Sequence, residues 1–244
     1  MYINKSLEVL SVKEKNFINS GNCGKIYSTP DDQIIKTYFK ETAHMCKLND
    51  DTFYILKKIR NPHFVELYDV YTTLFHYYAY TKGKSEFLVD AYTAKRYYGT
   101  QRSMLRDSKE YLLTNIRGLE KLIHELSYSA ILVGDLSRKN TIFTDSHMII
   151  VDPDLFSHSK FSFKENLREN ITAFFDYIAF LFIEELIDTE RLEKKDYSKL
   201  KKKIYSESVI TRKNFIDGEK SIADGFSKAL RFHKSPIEYF TKGE

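Results

Sequence analysis

Among its 244 residues the chain has no tryptophan, two cysteines and no long uninterrupted apolar run. The cysteines, Cys23 and Cys46, have no metal-like spacing and are too few for a disulfide framework, which fits a reduced, intracellular protein. Met1–Lys5 lacks an apolar core, so no secretory signal is expected and a cytoplasmic location follows. No repeat, Gly/Ser linker or low-complexity tract breaks the chain. The net charge of +4 is modest and does not call for nucleic acid. The most apolar stretch, Asn170 to Ile187, is too short for ~20 residues of hydrocarbon and is interrupted by Asp176, Glu184 and Glu185. It reads as a buried helix rather than a membrane span. Lack of Trp beside abundant Lys, Ile, Asn, Tyr and Phe suggests an AT-rich genome, as some bacteria and phages have.

The chemistry-bearing residues concentrate in one stretch. Gly134-Asp135-Leu136-Ser137-Arg138-Lys139-Asn140 is followed by two apolar segments, Thr141–Phe143 and Met148–Val151, around a polar turn at Asp145-Ser146-His147. Asp152-Pro153-Asp154 comes next. The order is loop, hairpin, loop, and it brings Asp135, Asn140 and Asp152 toward one mouth. A hard cation such as Mg²⁺ takes a few protein oxygens and leaves its other positions to phosphate and water. One base and two oxygen ligands are what phosphoryl transfer needs from the protein.

This D-x-x-x-x-N…D pattern resembles the catalytic and metal-binding loops of the protein-kinase-like superfamily. Upstream, Ile18-Asn19-Ser20-Gly21-Asn22-Cys23-Gly24-Lys25-Ile26-Tyr27 resembles that family's glycine-rich loop. Gly21 and Gly24 match its second and third glycines, Ile26 its apolar roof, and Asn19, which tolerates positive φ, replaces the first glycine. Gln33-Ile34-Ile35-Lys36 resembles the strand whose lysine meets the α- and β-phosphates.

Apolar residues at helical spacing over Asp51 to Ile59 predict a helix ending before Asn61-Pro62-His63. It is similar to the small-lobe helix that carries a lysine-pairing glutamate, but the matching position is Thr52. Asp51 or Glu41 is a candidate substitute. Phe64–Tyr71 reads as a strand, and so does Leu74–Tyr80, with Thr81-Lys82-Gly83 as a hinge. Lys95-Arg96-Tyr97-Tyr98 interleaves cations and aromatics, as nucleic-acid sites do, but a solvated connector is the simpler account. Asp107–Ser127 is an amphipathic helix capped by Asp107-Ser108. Lys194-Lys195 and Lys199 to Lys203 read as a solvated helix face, and Ile204 to Glu244 as short helices.

The resemblance implies an α+β, bilobal kinase-like fold in one domain over residues 1–244. Residues 1–80 would form a small antiparallel β lobe with one helix, and 81–244 a mainly helical large lobe with a short activation segment. ATP and Mg²⁺ are the implied cofactors, with the nucleotide in the cleft between lobes. By the same resemblance Gly21 to Gly24 line the phosphates, with Asn19 at the loop's start, and Lys36 neutralises them. Ile26, Ile34 and Ile142 sandwich adenine, Asp135 takes or orients the acceptor's proton, and Asn140 and Asp152 hold Mg²⁺. Asp176 matches the residue that braces the catalytic loop.

Three departures shape the function. Val133-Gly134 replaces the usual His-Arg, so a phosphate on the activation loop has no partner there. Pro153-Asp154 replaces Phe-Gly, and Pro153 stiffens that loop. No Ala-Pro-Glu follows, so a peptide-docking platform is short or absent. A divergent serine/threonine protein kinase with a protein acceptor is the leading expectation. A small-molecule kinase of the aminoglycoside or choline kinase type is the alternative, supported by Gly134-Asp135-Leu136. A nucleotide-binding pseudokinase is the third, favoured by Thr52 and opposed by Lys36, Asp135, Asn140 and Asp152 together. No nucleic acid or membrane partner is expected, and the sequence leaves the oligomeric state open.

Overall fold

A computed structural model describes residues 1–42, 48–100 and 109–188. Cys46, the Asp107-Ser108 cap, the basic clusters after residue 190 and the segment 204–244 lie outside them. The fold is α+β, an antiparallel sheet with several helices. It divides into two compact units. The first comprises Met1–Arg60, Val65–Tyr97 and Asp152–His158, and the second Asn61–Phe64, Tyr98–Val151 and Ser159 onward.

The first unit is built on one seven-stranded sheet. Its strands are β1 (Tyr2–Ile3), β2 (Val9–Leu10), β3 (Phe17–Ser20), β4 (Gly24–Ser28), β5 (Gln33–Tyr38), β6 (Leu67–Thr73) and β7 (Ala91–Lys95). They lie in the order β2-β1-β6-β7-β5-β4-β3, and every pairing is antiparallel. Helix α1 (Asp50–Leu56) starts where Asn49 Oδ1 accepts the Thr52 N–H at 2.8 Å, a side-chain N-cap. It buries Phe53 and Leu56 with Tyr92, Val70 and Leu67. A short strand β11 (Ser157–His158) ends this unit's last segment, where the His158 N–H donates to Thr52 Oγ1 at 3.3 Å.

Leu74–Thr81 is a helix, α2, where the sequence predicts a strand. Its aromatic residues have high strand propensity, but tertiary contacts override it. Thr73 caps the helix through Oγ1, and Asp90 accepts the Thr73 N–H at 2.7 Å and pairs with His76 Nδ1 at 2.6 Å. The strand that completes the sheet is β7, which lies between β5 and β6. The sheet therefore runs past residue 80 to Lys95, the last residue of β7, and the boundary between the two units falls at Tyr97–Tyr98, within the expected connector.

The second unit packs helix α3 (Lys109–Tyr128) on helix α4 (Phe163–Asp188), with Ile116, Leu119, Ile123, Phe174 and Ile178 buried. Strand β8 (Ile131–Leu132) follows α3, and β9 (Thr141–Phe143) pairs with β10 (Met148–Ile150) in register as the predicted hairpin. Among the described residues no helix is long and apolar enough to cross a membrane, α4 included.

Candidate functional site

In the first unit the sheet sets the site. Residues in direct register, and every second residue along a strand, share a face. Ile26 on β4 lies opposite Lys36 on β5, and Ile34 and Tyr38 flank Lys36 along β5. Ile26, Ile34, Lys36 and Tyr38 thus occupy one face, with Ala94 and Tyr92 of β7 opposite Ile34 and Lys36.

The β3–β4 turn carries the glycines. The Gly21 N–H donates to the Gly24 carbonyl at 2.9 Å. The turn is tied down through Cys23, whose carbonyl accepts the Phe39 N–H at 3.0 Å and the Thr42 hydroxyl at 3.1 Å. Gly21 has open space where a Cβ would stand. Gly24 does not: a Cβ there would lie 1.9 Å from the Thr37 carbonyl oxygen, so close approach of β4 to β5 requires glycine. Asn19 sits within β3 opposite Ile26 and is absent from the positive-φ residues, so the left-handed tolerance expected of it is not used.

Lys36 is 6 % exposed and ends between two carboxylates. Its Nζ lies 2.6 Å from Asp152 Oδ2 and 2.6 Å from Asp154 Oδ2. Lys36 and Asp152 are 116 positions apart in sequence. Asp154 Oδ1 also accepts the Tyr38 hydroxyl at 2.7 Å, and the Asp154 N–H donates to Asp152 Oδ1 at 3.3 Å. The Asp154 carbonyl accepts the Leu48 N–H at 3.0 Å, fixing the loop's backbone. Burial alone would lower the Lys36 pKa, but the charges of Asp154 and Asp152 outweigh it and hold it above its ordinary value. Burial pushes Asp154 up to about 6; Lys36 opposes that rise and Asp152 adds to it.

The lysine's second acid is therefore Asp154, which sequence reasoning had given no role. Asp51 and Glu41, the expected substitutes, are exposed. Thr52 is buried and engaged with the His158 backbone. The signal for Asp154 is an acid two places after Asp152, but acids are common in turns and nothing local marks this one as buried.

In the second unit, Asp135 is exposed and takes φ 45°, a left-handed conformation. Asn140 ends a 3₁₀ turn, Arg138–Asn140, and its Nδ2 donates to the Asp135 carbonyl and to Asp135 Oδ2, both at 3.0 Å. The Val151 N–H donates to the Asn140 carbonyl at 2.9 Å, tying the loop to the strand end just before Asp152. Ile142 lies in β9 opposite Ile149.

The loop leading to Asp135 is braced by Asn170 of α4. Its Oδ1 accepts the Val133 N–H at 2.8 Å, and its Nδ2 donates to the Ile131 carbonyl at 2.8 Å and to Ser127 Oγ at 2.9 Å. The bracing role was expected of Asp176; that residue lies in the same helix, but its side chain is outside the described residues. Thr141 Oγ1 and the Tyr177 hydroxyl, 2.6 Å apart, add a second tie to α4.

As donors, Asp152 and Asn140 both offer hard oxygens, which suit Mg²⁺. Among the described residues no three His, Cys, Asp or Glu side chains are grouped as a metal site. Compared with known proteins, the sequence matches no family model and no curated protein.

Proposed function

We propose that the chain is a cytoplasmic, ATP- and Mg²⁺-dependent phosphotransferase with a bilobal kinase-like fold, a divergent serine/threonine protein kinase in its leading form. The observation that carries this reading is the buried Lys36 ammonium, 2.6 Å from the partly exposed carboxylate of Asp152. A buried ammonium held against an acid supplied by a distant loop is costly unless paired. It is the arrangement a nucleotide's phosphates and their metal would use. The antiparallel sheet with a glycine-bearing turn beside the Lys36 strand supports the same reading, although the unit carries two helices, α1 and α2, rather than one.

In this assignment Lys36 neutralises the α- and β-phosphates, and backbone N–H groups of residues 21–24 lie along them, with Asn19 beginning that loop. Ile26 and Ile34 face adenine from the sheet, with Ile142 as the third apolar contact. Asp152 and Asn140 would hold Mg²⁺, which supplies charge neutralisation on the transferring phosphoryl group. Asp135 accepts or orients the acceptor hydroxyl's proton. Catalysis of this kind is positioning and charge stabilisation, so each group matters by orders of magnitude.

A specific observation favours a small-molecule acceptor as the second reading. Helix α4 begins at Phe163, soon after Asp152, which leaves little chain for a peptide platform. Transfer of the γ-phosphate from Mg-ATP by the purified protein, alone and with a generic basic protein, separates the forms. Label on protein, lost when Asp135 is replaced, establishes the protein kinase. ATP binding without protein label favours the small acceptor or a pseudokinase, and absence of ATP binding overturns the proposal.

A further inference from the structure

We infer that Asp154 is the positioning residue for Lys36, taking the part that the α1 position Thr52 leaves unfilled. The inference rests on the proposed nucleotide site and deepens it.

The two acids on Lys36 are not equivalent. The Asp152 side chain is 27 % exposed and that of Asp154 is 8 %. Asp152 thus keeps access to a solvent-borne cation, while Asp154 is committed inward. Asp154 is also anchored from several sides: Tyr38 donates to its second oxygen, Leu48 binds its carbonyl, and the Phe156 N–H closes on the Pro153 carbonyl at 2.9 Å. Pro153 limits the backbone between the two acids.

This division solves a charge problem. One ammonium between two carboxylates leaves a net negative charge in a partly buried site. A divalent cation bound through Asp152 would reverse that sign and suit a polyphosphate. When Asp152 serves the cation, Asp154 still holds the ammonium, so Lys36 stays aimed along the sheet face that carries Ile26 and Ile34. The α1 helix offers no competing partner, since Thr52 is fully buried against the His158 backbone. The acid that orients the lysine has moved from the helix to the loop after the metal ligand.

The test is binding, because it needs no acceptor. Affinities for Mg-ATP and for adenosine, and the Mg²⁺ concentration giving half-maximal ATP binding, are measured calorimetrically for wild type, Asp154→Asn, Asp152→Asn and Tyr38→Phe. Asp154→Asn keeps volume and an acceptor for Tyr38 but loses the charge on Lys36. It is expected to weaken Mg-ATP about tenfold, as loss of a charge-assisted contact does, and to leave adenosine and the Mg²⁺ half-point unchanged. Tyr38→Phe is expected to act in the same direction about two- to threefold, and it carries the test if Asp154→Asn fails to fold. Asp152→Asn is expected to move the Mg²⁺ half-point. Unchanged or tighter Mg-ATP binding in Asp154→Asn, an equal loss for adenosine, or a shifted Mg²⁺ half-point in that variant would each overturn the inference. Wild-type protein that binds no Mg-ATP overturns the nucleotide-site reading itself, and the inference with it.

Discussion

Gly118 and His63 occupy what would otherwise be one volume. A Cβ on Gly118 would stand 1.8 Å from His63 Nε2 and 2.2 Å from its Cδ2. The imidazole lies across helix α3 at a place where only glycine leaves room, and its Nδ1 meets the Met148 carbonyl at 2.9 Å. The His63 carbonyl accepts the Ile150 N–H at 3.0 Å and its N–H donates to Asn61 Oδ1 at 3.0 Å. The Asn61-Pro62-His63 turn thus locks the β9–β10 hairpin, which ends two residues before Asp152, onto α3.

Gly118→Ala is therefore expected to destabilise the protein despite the better helix propensity of alanine, which alone would favour it by about 1 kcal/mol. Displacing a buried ring costs about 1–3 kcal/mol or more. Urea unfolding should show a net loss on the order of 1 kcal/mol, partly relieved when His63→Ala is added, because the two sites share one volume. A stabilised Gly118→Ala would show that the ring moves aside freely.

His63 also predicts a pH dependence. Burial lowers its pKa below the ordinary 6.5, and the nearby His147 acts in the same direction. The unfolded chain then binds a proton more readily than the folded one. The stability contributed by the neutral ring is fully present above about pH 6.5 and is lost as pH falls below it. Urea midpoints from pH 8 to pH 5 should decline on the acid side in wild type, and decline less in His63→Phe. Parallel curves would remove His63 as the cause.

What was legible in the sequence was what local pattern encodes. The glycine turn, the Lys36 strand, the loop at Asp135–Asn140 and the hairpin at 141–150 lie where alternation, turn residues and spacing put them. What was not legible depended on partners far away in sequence. Leu74–Thr81 carries strand-forming aromatics, but Asp90 holds its first turn through Thr73 and His76. Ala91–Lys95 contains two alanines, poor strand formers by themselves, yet Ala91 and Ala94 are fully buried between β5 and β6. Asp154 became recognisable only once Lys36 and Tyr38 were placed on the same strand face beside it.

Asn170 is expected to be among the most sensitive polar residues of the second unit. It is 1 % exposed and satisfies a backbone N–H, a backbone carbonyl and Ser127 at once. Asn170→Ala orphans these groups at roughly 1–3 kcal/mol for each one left unpaired. Chemical denaturation should register a loss of about 2–4 kcal/mol, given partial relaxation and entry of water. Asn170→Asp keeps the acceptor for Val133 but loses the donation to Ile131 and sets a buried carboxylate against that carbonyl, so a loss at least as large as that of the alanine variant is expected. A loss below about 0.5 kcal/mol in the alanine variant would mean the loop is held by other contacts.

Asp135 gives the cleanest separation of chemistry from folding. Its side chain is exposed, and its backbone sits at φ 45°, where an alanine is strained by roughly 1–2 kcal/mol. Asparagine tolerates that conformation and still accepts from Asn140 Nδ2. Asp135→Asn should therefore melt with wild type while losing phosphoryl transfer by about 10²–10⁴-fold, the range expected for removal of a general base. Asp135→Ala alone would confound strain with chemistry, and comparison of the two measures how much of its defect is conformational. If Asp135→Asn transfers phosphate at the wild-type rate, the base role does not belong to this residue, and the left-handed turn serves only to present Asn140.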